Sequence, residues 1–260
     1  MKLSVIVPCY NEADNVLKLY NELMPVVEGL VSHGWKNMLE KNISAEIIFV
    51  DDGSKDETTP KLKEAFGSEN KPGLTFKFVK HPANKGLGAA VRTGFLNANG
   101  DIILTVDSDG TYKFSEIPAL LSFLTPDVDI VTASPYHPLG GVVGVPAYRL
   151  LLSRGSSFLY RVLVNWNIHT YTCLFRAYRS EVVRTVDFKS NGFLGGTEML
   201  VNAMLRGYKV AEFPAVLYKR MYGVSKARIM QTIMSHLSFQ AWAFMYRVQL
   251  MAGIKHKQAT

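Results

Sequence analysis

The chain predicts an α/β fold, a mostly parallel, doubly wound sheet with flanking helices and with amphipathic helices toward its C-terminal end. Three observations lead there. Strand-like and helix-like patterns alternate four times before residue 110. The strand runs are apolar throughout, as strands covered on both faces must be. The loops after them, at residues 8–12, 51–54, 81–88 and 107–112, gather acids, asparagines and glycines, and in such sheets ligands bind beyond the carboxyl ends of the strands.

Taken in order, strand 3–7 is ended by Pro8, and a helix opened by Asn11 and Glu12 follows through Val16, Leu19, Leu23, Val26, Val27 and Leu30. Residues 32–44 read as an irregular connection with an exposed Trp35. Strand 46–50 leads into Asp51-Asp52-Gly53-Ser54, then helix 56–66, strand 74–79 and helix 85–97. The small residues Gly88, Ala89, Ala90 and Gly94 let that last helix lie close to a sheet or a ligand. Strand 102–106 completes the fourth unit. Beyond it come helix 115–124, strand 128–132, a Pro/Gly-rich loop 134–145 expected to move, and helix 147–166, whose leucines alternate with Arg149, Arg154 and Arg161. A helix of leucine and arginine without acids suits a membrane interface or an ordinary surface equally. Residues 170–178 mix aromatic and β-branched types, a helix opens at Gly195 and is closed by Gly207, and a strand over 209–217 is interrupted by Pro214. The final helix, 227–251, is rich in Met, Phe and Trp and is interrupted by Arg247; it reads as packed on a partner or on lipid headgroups, with a buried core helix as the alternative.

Composition narrows the function classes. A chain of 260 residues with 48% hydrophobic content can bury a large core. Cys9 and Cys173 lie far apart and offer no disulfide framework, which suits a reducing compartment. Neither a signal peptide nor a membrane-spanning helix is expected. The net charge of +7 is uneven: residues 218–260 carry seven Lys or Arg and no Asp or Glu. That tail favours anionic partners. No nucleic-acid motif accompanies it, and the acidic pairs argue against a groove for a phosphate backbone. A membrane surface is the expected partner.

The chemistry concentrates at residues 100–112, where the apolar run ends in Asp107-Ser108-Asp109-Gly110. Two hard oxygen donors at a strand tip suit Mg2+ or Mn2+, although such strings also serve as plain acidic turns. The stretch Lys85-Gly86-Leu87-Gly88 imitates a dinucleotide fingerprint, but Val91 stands where the third glycine belongs, and the stretch follows the third strand, not the first.

Six strings in order are more specific than any one of them: residues 4–12, Val50-Asp51-Asp52-Gly53-Ser54, residues 84–92, Gly100-Asp101 with Asp107-Ser108-Asp109, Phe175-Arg176-Ala177-Tyr178-Arg179, and Arg220 through Lys226. Together they resemble the inverting family 2 glycosyltransferases of GT-A fold, and among them the polyprenyl-phosphate sugar synthases of the dolichyl-phosphate mannose synthase type. The resemblance covers residues 3–226. It implies a catalytic domain over 1–226, with a nucleotide-binding half (1–110) and an acceptor half (111–226), followed by a basic apolar helix and tail (227–260). It implies that Pro8, Tyr10, Glu12, Val50, Asp52 and Lys85 hold the donor nucleotide, with Asp107, Ser108 and Asp109 at its diphosphate and Arg149 beside it. Arg149, Ser153, Ser225 and Lys226 would bind the acceptor, and Asp107, Asp109 and Thr111 the Mg2+ or Mn2+. Asp107, Asp109, Arg220 and Lys226 are the implied catalytic groups, and Glu198 is a secondary candidate for a base. Two positions depart from the pattern: Pro135 replaces an arginine frequent in related enzymes, and Thr111 a metal-contacting glutamine found in some.

The implied reaction moves a hexose, mannose or glucose, from a GDP- or UDP-sugar to a polyprenyl or dolichyl phosphate, with inversion, at the cytoplasmic face of a membrane. A membrane subunit or a second copy of the chain would be a further partner; nucleic acid would not. Two other readings stand beside it: transfer to a different lipid or glycan, which would need Glu198 or another carboxylate as base, and a nucleotide-sugar-binding module without catalysis.

Overall fold

A computed structural model describes residues 1–36, 43–68, 71–220 and 229–251. Its centre is a seven-stranded sheet built from β1 (Lys2–Cys9), β2 (Ser44–Asp51), β3 (Leu74–Lys80), β4 (Ile102–Thr105), β5 (Ile130–Ser134), β7 (Arg176–Arg179) and β8 (Val210–Pro214), in the order β3-β2-β1-β4-β7-β5-β8. All neighbours run parallel except β7, which is antiparallel to both β4 and β5. A two-stranded parallel sheet joins β6 (Gly141–Val143) to β9 (Val216–Tyr218).

Alternation along β1 sorts the helices onto two faces. Leu3, Val5, Val7 and Cys9 point into the larger core, shared with α1 (Val16–His33), α2 (Thr58–Phe66) and α4 (Ile117–Ser122). Ile6 points the other way, under α3 (Leu87–Asn97), and packs with Ile48, Val50, Ala90 and Ile103. A Cβ at Gly94 would stand 2.3 Å from Ile6 Cγ2, so the small residues on α3 do bring that helix onto the sheet. Beyond it, α6 (Ser180–Thr185), α7 (Leu194–Leu205), α5 (Ala147–Leu163) and α8 (Ile229–Met251) gather around Tyr160, Tyr171, Val182 and Met199.

Several elements differ from the sequence expectation. β1 continues through Pro8 to Cys9, because pairing with β4 stops at Ile6↔Thr105 and from there only β2 needs a partner. Trp35 is half-buried and packs against the core. The strands are not equally covered: β3 is an edge strand, half-buried along most of its length. The loop expected to move carries β6 and is tied to β9. The aromatic stretch at 170–178 is strand only at its end, and α6 follows it directly.

Candidate active site at the carboxyl edge of the sheet

β1 and β4 lie side by side and parallel, so the loops that follow them emerge together. Gly110, at φ +68°, turns the chain just after Asp109. Asp109 is buried; its Oδ1 accepts the Thr111 N–H at 3.0 Å, and its Oδ2 accepts Arg220 Nε at 2.7 Å and lies 2.6 Å from Arg220 Nη2. Arg220 Nη1 stands 3.7 Å from Glu12 Oε1. One guanidinium thus bridges the β1 and β4 loops, and the Tyr218 N–H donates to Thr111 O at 2.9 Å to hold β9 in place. Burial, then the neighbouring Asp109 charge, pushes Asp107 up to about 8, against the pull of Arg220. The two cysteines nearby are not nucleophiles: burial raises the Cys9 thiol well above its ordinary range and pushes Cys173 up to about 12.

The expected donor-side residues divide into two groups. Val50 is fully buried within β2 and Pro8 is buried within β1; Tyr10 is half-buried and Lys85 exposed at the loops themselves. Ser108 is buried beside the Cys9 thiol. Asp52 is buried and ordered from within: its Oδ1 accepts the Lys85 N–H at 2.9 Å and meets His81 Nδ1 at 2.7 Å, and its Oδ2 accepts the Gly86 N–H at 2.8 Å. His81 Nε2 reaches Thr93 Oγ1 at 2.9 Å. His81 is a site-shaping residue that no local sequence signal singles out.

On the acceptor side, Arg149 and Ser153 lie one turn apart on α5, and Ser153 Oγ is 2.6 Å from Thr172 Oγ1. Both border a cavity of about 830 Å³ that also reaches Asp107, Asp109, Thr111 and Arg220. Pro135 lines it too. Glu198 does not: it is buried, and its oxygens accept the backbone N–H groups of Lys189 and Ser190 at 3.0 and 2.9 Å, so it anchors a loop instead of facing the cavity. Ser225 and Lys226 lie outside the described residues. Arg247 has its partner inside the chain, donating to Leu163 O at 2.7 Å and so capping α5. His169 is structural, paired with Glu212 at 2.6 Å. Arg176, fully buried, donates to Thr132 Oγ1, Tyr171 O and Gly196 O and fixes the cavity floor. Among the described residues no cluster of three or more His, Cys, Asp or Glu forms.

The model of glycosyl transferase family 2 matches residues 4–187. The chain belongs to glycosyl transferase family 2. Over 232 residues it is 32% identical to the dolichol-phosphate mannosyltransferase of Pyrococcus furiosus, a match covering 88% of this chain and 60% of that protein's length. Over 229 residues it is 32% identical to the polyprenol monophosphomannose synthase of Mycolicibacterium smegmatis, covering 85% of this chain and 79% of the relative. Among solved structures, glucosyl-3-phosphoglycerate synthase from Mycobacterium tuberculosis, in complex with Mn2+, UDP and glucosyl-3-phosphoglycerate, superposes with a TM-score of 0.63 at 18% identity over 98% of this chain and 81% of that one. A further mycobacterial protein gives 0.67 at 20% identity, over 92% and 74%. These likenesses establish the GT-A fold. The family match ends before α7, so Arg220 and α8 lie outside it.

Proposed function

We propose that this glycosyltransferase family 2 chain transfers a hexose, mannose or glucose, from a GDP- or UDP-sugar to a polyprenyl or dolichyl phosphate, with inversion, at a membrane surface. One observation carries the reading: a single cavity is charged at one end, by Asp107, Asp109 and Arg220, and apolar along its walls, through residues such as Leu151, Leu159 and Leu237. An acceptor with an ionised head and a hydrocarbon tail matches that division. The names of the two curated relatives favour mannose.

The acidic pair fits a hard divalent cation. Asp107 and Asp109 set two carboxylates against one guanidinium; burial first, and then the Asp109 charge, raise Asp107, and Mg2+ or Mn2+ would supply the positive charge that favours its ionised form. Bound there, the ion would neutralise charge on the departing nucleoside diphosphate; fold neighbours crystallised with Mn2+ or Mg2+ and UDP support this reading. Arg220 lies within reach of the same charge. The acceptor phosphate is already ionised near neutral pH, so its oxygen needs orientation more than a base. Arg149 and Ser153, on one face of α5, supply that orientation, which agrees with Glu198 lying away from the cavity.

The membrane reading rests on α5 and α8. Leu151 is 74% exposed and Met230 71%, and Phe158, Trp166, Trp242, Phe244 and Met245 are also exposed. Arg154 and Arg161 lie among them, stacked on Tyr136 and Trp166. Apolar faces edged by arginine fit an anionic lipid surface, here the cytoplasmic face. Among the described residues no helix is long and apolar enough to cross a membrane.

Incubation with radiolabelled GDP- and UDP-hexoses, Mn2+ and polyprenyl phosphate should yield an organic-soluble product. Its absence with every common donor would overturn the reading.

A further inference from the structure

α8 walls the cavity through Ile233, His236, Leu237 and Gln240. Two of these are polar yet buried, His236 at 8% exposure and Gln240 at 4%. On a helix otherwise rich in Met, Phe and Trp, such residues persist only where their polar atoms find partners. Gln240 Nε2 donates to Ser156 O at 3.2 Å. His236 Nδ1 lies 3.2 Å from the Tyr160 hydroxyl and 3.3 Å from Ser156 Oγ, with the imidazole edge-on to the Tyr160 ring.

The pairing with Tyr160 fixes the tautomer. Tyr160 is fully buried and its hydroxyl meets no other acceptor among the described residues, so its O–H donates and Nδ1 accepts. Burial holds the histidine down at about 4, so the ring is neutral and its one proton sits on Nε2. Nε2 bonds to none of the described residues. Nor is it among their buried atoms lacking a partner, which are Asn15 Oδ1, Glu116 Oε2 and Asn202 Oδ1. It therefore opens onto the cavity that His236 lines.

Along α5, Arg149, Ser153 and Ser156 recur at intervals of four and three residues, which places them on one helical face. All three line the cavity, and the stripe ends at His236. A hydrocarbon tail has no atom that can accept a hydrogen bond, whereas a phosphate head has several. Pro135, on the same cavity, brings neither charge nor N–H.

We propose that His236 is an acceptor-binding residue whose Nε2–H donates to a phosphate oxygen of the acceptor, completing the stripe of Arg149, Ser153 and Ser156. The assignment rests on the polyprenyl-phosphate reading above. It also sets the head between α5 and α8, with the tail leaving along Leu159 and Leu237.

Two substitutions separate this role from a merely structural one. His236→Asn keeps an acceptor near the position of Nδ1 for Tyr160 and loses the donor to the cavity; His236→Gln places an amide N–H near Nε2 and loses the clasp. Calorimetric titration of the full chain with farnesyl phosphate, in the presence of Mn2+ and GDP or UDP, should show affinity about tenfold weaker for His236→Asn at a nearly unchanged Tm. His236→Gln should stay within about threefold of the parent while its Tm falls. Unchanged affinity in His236→Asn, or affinity that follows Tm in both variants, would overturn the assignment. A parent protein that binds nucleotide but no farnesyl phosphate would overturn the acceptor reading and the assignment with it.

Discussion

At the tips of β1 to β4, polar side chains find partners inside the protein; on the outer faces of α5 and α8, large apolar side chains stand open to solvent. Asp52 is bonded to the 81–86 loop, Asp51 to Ser54 and Thr59, and Glu12 to Asn15 and Arg220. Leu151, Phe158, Met230 and Phe244 stand exposed. The contrast separates what each region depends on. The first is ordered by its own hydrogen bonds, as the proposed diphosphate site would require. The second is complete only against something apolar outside the chain, which the proposed function takes to be lipid.

The largest effect should fall where the two regions meet. Asp109→Asn weakens the attachment of Arg220 and the charge at the strand tip, and we expect transfer to an isoprenoid phosphate to drop by about 1,000-fold with little change in Tm. More than a tenth of the parent rate in an organic-phase label assay would show that the acidic pair is not the reacting end of the cavity. Within the ordered half, Gly94→Ala drives a methyl group into Ile6 and should cost about 2 kcal/mol of stability, read by urea unfolding. A neutral result would mean that α3 is less firmly seated than its contacts indicate.

Glu46 tests internal satisfaction directly. Its burial opposes ionisation, yet hydrogen bonds from Ser4, the Asn99 N–H, Lys2 and Lys77 hold it down at about 2. A carboxylate depressed in the fold lends stability above its unfolded pKa and loses it as pH falls toward the folded one. Glu46→Gln should therefore cost about 2 kcal/mol at pH 7, with the difference closing as pH falls from about 4 to about 2. A pH-independent difference would point to packing instead of charge. The smallest effect concerns the outer face: Phe244→Glu, at an exposed residue that does not line the cavity, should weaken sedimentation with anionic vesicles about tenfold and leave turnover of soluble farnesyl phosphate unchanged. Equal loss in both assays would tie Phe244 to the reaction and not to a lipid contact.

The same contrast explains what the sequence disclosed. The first four strands were legible because apolar runs broken by acidic and glycine loops have few other solutions, and Asp107, Asp109, Arg149 and Ser153 do meet around one cavity. The antiparallel β7 was not, since Arg176 and Arg179 look like surface residues until their backbone partners are visible. His81, Arg247 and His236 share that property: each is defined by a residue far away in sequence, Asp52, Leu163 or Tyr160, and no local pattern encodes such a pairing. Glu198 read as a base because a carboxylate opening a helix looks the same from the sequence whether it faces a substrate or a loop.

The glycine-rich start of α3 has a mechanical consequence. The Gly88 and Ala89 N–H groups donate to Gly192 and Asn191 carbonyls, and a Cβ at Gly88 would sit 2.2 Å from Ser190 O. The amide-rich end of this helix is thus plugged by the chain's own backbone and works as a weld between residues early and late in the sequence. A weld of that kind stiffens the cleft across its floor: parting the two sides there would break both bonds and open a seam with no side chain to fill it. If the acceptor is the proposed lipid, the compliance that admits its hydrocarbon would come from the roof, where α8 rests on α5 through His236, Gln240 and Arg247.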